Sequence, residues 1–347
     1  MTTEQTLITP VLKGDRLLIT LRDGEVLSLG PGLVAPGRDF SGCDLSMVKM
    51  DGANLDGCRF EGADLTYVDF SNASLVGAEF INCTLNYLIM IRANLQNTLF
   101  VIDNDVEGIR FEQADLSFAK FAGSGTYRES YFNEASLFGA RFDYVDFNFV
   151  RFDGCDMTGC QFYEVVFEDV VLHKSGAVLA MFDSCEFNDV EFFNAVLNGC
   201  RFVKCTLGWW GIKLNSADLQ NSHFIDCRFG RVGMITGFNA PHVDFRGASF
   251  TRSQFMLGNF EGAVFTGAQV VSCGFNETEQ EDTVWDKATV VNSRFRLCHF
   301  KRGTLQGTKF INCSLQEALF VSKEADAAVF DGCDFGPSLP ARKDEAA

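Results

Sequence analysis

Along most of the chain a large apolar residue recurs at every fifth position. In residues 53–70, ANLDGCRFEGADLTYVDF, the large members are Leu55, Phe60, Leu65 and Phe70. Two positions before each stands a smaller residue: Ala53, Cys58, Ala63 and Val68. The train starts at Phe40 and runs unbroken to Phe100. It slips by one residue before Phe111 and again before Phe132, then continues to Leu207. Shorter runs follow, Leu214 to Phe229 and Phe245 to Phe335. Of the 36 Phe, 31 fall on this period and only Phe118, Phe138, Phe149, Phe193 and Phe238 do not, so the period governs the core.

Five is the period of neither a helix nor a strand. In extended chain, residues two apart share a face, so the small and the large residue point inward together. The next small residue comes three places later, an odd step that would face it outward in a straight strand. It stays inward only if the chain turns a corner in between. Each five-residue unit therefore predicts a short strand and a turn, wrapped around a common axis. Buried peptide groups need partners, so each coil must hydrogen-bond to the next. The large residues then stack as ladders inside a β-solenoid. The one-residue slips near 101–110 and 122–131 predict bulges.

This register explains the thirteen cysteines, each of which lies two before a large residue. They take the place that Ala and Val fill elsewhere, and a buried free thiol acts as a small hydrophobe. Cys155/Cys160 and Cys200/Cys205 have the repeat spacing, not that of a zinc site. No metal or disulfide framework is expected, which suits a reducing cytoplasm.

The units ANLDG (53–57), ADLTY (63–67), ANLQN (93–97), ADLSF (114–118) and ADLQN (217–221) resemble the pentapeptide-repeat family. The resemblance covers about residues 38–335 and implies an all-β fold, a right-handed quadrilateral β-helix with four units per coil. Residues 1–37 do not repeat. LLITL (17–21) and EVLSL (25–29) around Asp23-Gly24 predict a β-hairpin that caps the first coil. Residues 336–347, after Gly336-Pro337, read as a disordered tail.

The bulk numbers narrow the function. Net charge is −17, which argues against direct binding of nucleic acid. No apolar run reaches the length of a membrane span, and the N-terminus lacks a signal-peptide layout, so a cytoplasmic protein is expected. The four His are dispersed, and no nucleophile–base pair or phosphate loop stands out. A ladder-filled interior has no room for a ligand pocket. No catalytic residue, cofactor or metal is expected, and an enzyme with a surface site is the weakest reading.

Binding to proteins remains. The candidate interaction residues are Trp209 and Trp210, of which one should be exposed; the acidic run Glu277, Glu279, Glu281 and Asp282; and Phe335 on the last coil, where two copies or another partner would meet. The acidic run is most simply a solvated side of a coil. Residues 38–200 hold 26 acidic and 10 basic side chains, whereas 201–275 hold 4 and 7. The resemblance implies two roles. Some family members are scaffolds or adaptors, including accessory proteins of bacterial secretion-system effectors. Others imitate DNA and occupy type II topoisomerases, gyrase or topoisomerase IV. The basic stretch and the lack of a C-terminal dimerising helix favour the scaffold.

Overall fold

The computed structural model describes residues 7–207, 213–214, 217–229, 242–256, 259–276, 278–320 and 327–336. It divides into two compact units, residues 1–171 and 172–347. Among the described residues there is no α-helix, and none is long and apolar enough to cross a membrane.

The first unit opens with β1 (Val11–Lys13), β2 (Arg16–Thr20) and β3 (Val26–Leu29), an antiparallel sheet in the order β1-β2-β3. The hairpin read from the sequence is β2–β3; β1 is an addition the sequence did not announce. Ahead of β1, Ile8 lies parallel to Cys43, accepting from Asp44 N–H at 2.8 Å and donating to Gly42 C=O at 2.7 Å. It thus satisfies backbone groups that an inner coil would find in its neighbour.

From residue 33 onward the chain coils in parallel register. Phe60 pairs with Phe80 and Phe80 with Phe100, a repeat of four five-residue units, so each coil has four sides. Phe100 pairs with Phe121 and Phe121 with Phe142, each coil here being one residue longer. The two added residues stack on one another at one corner. Ile102 N–H donates to Ala122 C=O at 2.9 Å, and Gly125 N–H to Ile102 C=O at 3.0 Å. The fit is tight enough that a Cβ on Gly123, whose φ is +108°, would lie 2.2 Å from the Ile102 oxygen. A side chain cannot be accommodated there.

The second unit repeats the plan. Phe182 pairs with Phe202, Phe202 with Phe224, and Phe224 with Phe250. The last two steps are longer than four units of five, and regular register returns from Phe250 through Val270, Val290 and Phe310 to Phe330.

The corners have a chemical cause. The Asp or Asn that precedes a large residue accepts the backbone N–H two positions on: Asp44 from Ser46 at 3.0 Å, Asp64 from Thr66 at 3.0 Å, Asp115 from Ser117 at 3.0 Å, Asp244 from Arg246 at 3.0 Å. This Asx turn favours the bend over a straight strand. The residue after it takes positive φ, filled by Gly at 52, 57, 62 and 77 and by Asn at 72, 82 and 97.

Inside, the large residues stack coil upon coil. Phe60 and Phe80 lie 5.0 Å apart centroid to centroid, Phe80 and Phe100 4.7 Å, Phe121 and Phe142 4.6 Å, Phe142 and Phe162 4.9 Å, all with nearly parallel rings. The thirteen thiols are free, twelve of them buried and Cys333 half-buried. Burial pushes Cys83 and Cys200 up to about 12.

Candidate protein-interaction surface

The ladders leave the interior closed: Phe60, Leu65, Phe70, Phe80, Phe121 and Phe142 have no exposed area. Among the described residues no group of three or more His, Cys, Asp or Glu is arranged to hold a metal. A hollow of about 380 Å³ on the second unit, beside Gln254, Asn292, Arg294 and Asn312, is open to solvent and lined mainly by polar groups. What the molecule can offer a partner is therefore its outer surface.

The outer surface of the first unit is acidic, with 22 acidic and 9 basic side chains between residues 38 and 171. Several cations are already taken by neighbouring carboxylates. Arg59 contacts both Glu61 and Glu79, Arg110 lies 2.9 Å from Glu112, and Arg141 lies 2.8 Å from Asp143. In the second unit Lys213 holds Glu191 at 2.6 Å, Arg252 holds Asp226, and Arg302 holds both Glu281 and Asp282. Hydrogen bonds from Lys213, Arg252 and Arg302 pull Glu191, Asp226 and Asp282 respectively below the usual carboxylate range.

The sequence-predicted site residues are not brought together. Trp209, Trp210 and Glu277 lie outside the described residues, as does the tail from 337. Glu279 belongs to the strand Glu279–Glu281, and its side chain is outside the description. Glu281 and Asp282 share Arg302 at the coil surface. The same stretch also turns inward. Thr278, Gln280, Thr283 and Trp285 are buried, with Gln280 Oε1 accepting from Trp285 Nε1–H at 3.3 Å and its amide nitrogen donating to Thr278 Oγ1 at 3.1 Å. Gln280 fills a place that Phe300 and Phe320 fill in the next coils. Phe335 is half-buried against Phe330, 5.4 Å away.

Sequence reasoning missed the exposed aromatic corners. Met47, Tyr67 and Tyr87 hold the same corner in three successive coils, with φ of 61°, 58° and 58° and exposures of 73%, 50% and 38%. The Tyr67 and Tyr87 rings stack at 4.8 Å, and Tyr87 lies over Gly108 in the next coil. The Tyr87 hydroxyl bonds the Glu107 carboxylate; that bond, followed by desolvation and the Glu107 charge, raises it to about 12. Phe118 and Phe138 form an edge-to-face pair at 5.4 Å on the exposed surface. For Met47, Tyr67, Tyr87 and Phe118 the signal was present in the sequence, as large residues on the turn position that Gly and Asn fill in many other units.

Residues 37–66, 63–100 and 130–169 match the family described as pentapeptide repeats, in eight copies. Among solved structures the chain is similar to HetL, a pentapeptide repeat protein involved in heterocyst differentiation regulation from Nostoc sp. strain PCC 7120. The identity is 15% over 80% of this chain and 87% of that one, with a TM-score of 0.24. It is also similar to QnrB1, a plasmid-mediated fluoroquinolone resistance protein, at 14% identity over 69% of this chain and 93% of that one, TM-score 0.27. A comparison with curated proteins finds no match.

Proposed function

This chain is a pentapeptide-repeat protein, and from that premise we propose that it is a non-enzymatic scaffold binding protein partners through the outer faces of its coils. One observation carries the reading: inward side chains are spent on ladders without exposed area, so recognition is left to the outside. A photo-reactive amino acid placed singly at outward positions Tyr87, Phe118, Tyr144 and Glu168 tests it in cells. A discrete adduct from at least one face is expected; silence from every face contradicts the scaffold. A second copy meeting the last described coil belongs to the same reading, because Phe320, Phe330 and Phe335 are half-buried there. Sedimentation of the wild type against Phe335→Ser reads it.

The acidic wall of the first unit supports a second reading, a DNA-mimicking ligand of a type II topoisomerase. Supercoiling by purified gyrase at low and physiological ionic strength separates the two. A mimic inhibits and loses its effect steeply with salt, whereas a scaffold for another partner leaves supercoiling unchanged.

A further inference from the structure

We propose that the Met47–Tyr67–Tyr87 corner is a docking strip for an arginine- or lysine-bearing segment of a partner protein. The inference rests on the scaffold reading and names the surface and the chemistry of its occupant.

Two costs are accepted at this corner. A bulky side chain at positive φ is sterically disfavoured, whereas Gly52, Gly57, Gly62 and Asn72 hold that turn position at lower cost; other bulky residues share it, among them Arg92, Phe149 and Leu179. A large apolar surface is also left in water. The side chains point away from the ladders; the Tyr67–Tyr87 stack and the bond from the Tyr87 hydroxyl to Glu107 return part of the cost between coils, while Met47 stays 73% exposed.

The geometry preorganises the strip. Met47 N–H donates to Thr66 C=O at 2.9 Å, Tyr67 N–H to Asn86 C=O at 3.0 Å, and Tyr87 N–H to Glu107 C=O at 2.7 Å. The side chains are thus fixed at the spacing of the coils, and the two Tyr rings stack in parallel.

Charge selects the occupant. Asp64 and Asp69 flank Tyr67, Glu107 holds the Tyr87 hydroxyl, and Glu129 takes the same corner two coils beyond Tyr87. The cations nearby are Lys49, two residues after Met47; Arg110, which Glu112 holds; and Arg128, which stands beside Glu107 in the next coil and is held by Asp105 at 3.1 Å. A purely apolar partner would have to desolvate those carboxylates, and a phosphate backbone would be repelled. A guanidinium or ammonium group meets both features: it lies over an aromatic face by cation–π attraction and pairs with the acids beside it.

The probe is a short, end-capped, fluorescein-labelled peptide alternating Arg and Ser, with its citrulline counterpart as an uncharged isostere, titrated against the full chain. The Arg peptide is expected to bind and the citrulline peptide not. Tyr67→Asn/Tyr87→Asn should weaken binding by about five- to thirtyfold, from the loss of two cation–π contacts. Asn occupies this turn position at 72, 82 and 97, so that variant keeps a compatible backbone. Tyr67→Phe/Tyr87→Phe keeps the rings and should bind within about twofold of wild type. Equal binding by the Asn variant, equal binding of the citrulline peptide, or no binding of the Arg peptide overturns the strip. An adduct from another face would then leave the scaffold standing without it.

Discussion

At the scale of single residues, the interior is a set of small chemical decisions that the period of five does not reveal. The thiols substitute for Ala and Val, and burial makes them poor thiolates. Native protein should react with a thiol reagent such as DTNB at no more than one site, Cys333, and at all thirteen in denaturant; Cys333→Ser should remove the native reaction. Tyr127 is a different case. It lies in the ladder above Val106 and below Phe147, fully buried, with no hydrogen-bond partner for its hydroxyl. A buried unsatisfied hydroxyl is costly, so Tyr127→Phe should stabilise the protein by about 1 kcal/mol in denaturant titration. Gln280 behaves in the opposite way. Its amide satisfies Trp285 and Thr278, so Gln280→Leu should destabilise by about 1–3 kcal/mol although it makes the core more apolar. The period places Gln280 on the ladder, five after Phe275 and five before Trp285, but a Gln in an acidic run reads as solvated, and the partners of its amide show only in the structure.

At the scale of the coil, the ladder positions were legible because side-chain size alone encodes them. Phe142, stacked between Phe121 and Phe162, is expected to cost about 3–5 kcal/mol when cut to Ala, read from the shift of the unfolding midpoint. The corners were half legible. Asp and Asn before the large residue were visible, but their role as acceptors for the N–H two residues on depends on backbone geometry. The one-residue slips were legible as irregularities, yet not that two of them stack and require Gly123. Strand β1 and the bridge from Ile8 carry no periodic signal, since a strand of three residues with one partner leaves almost none. The Tyr67–Tyr87 strip was hidden for another reason: Tyr67 falls inside a unit that fits the repeat, and only the coil length shows that Tyr87 stands beside it.

At the scale of the molecule, charge sets the pH dependence of stability and, in the proposed function, the choice of partner. Glu191, Asp226 and Asp282 titrate lower folded than unfolded, so the stability they contribute is present above the unfolded carboxylate range and lost as pH falls through their folded values. Thermal unfolding should therefore hold steady from neutral pH to about 5 and fall below roughly 4. The central proposal is that partners bind the outer faces of the coils, with the acidic wall of the first unit contributing to that contact, while the core holds those faces in register. It is tested most directly by the yield of photo-cross-linked partner from a wall-neutralised variant, Glu129→Gln/Glu134→Gln/Glu164→Gln/Glu168→Gln, against wild type at equal Tm. A marked loss of adduct in the variant is the predicted result. An undiminished yield would contradict the account.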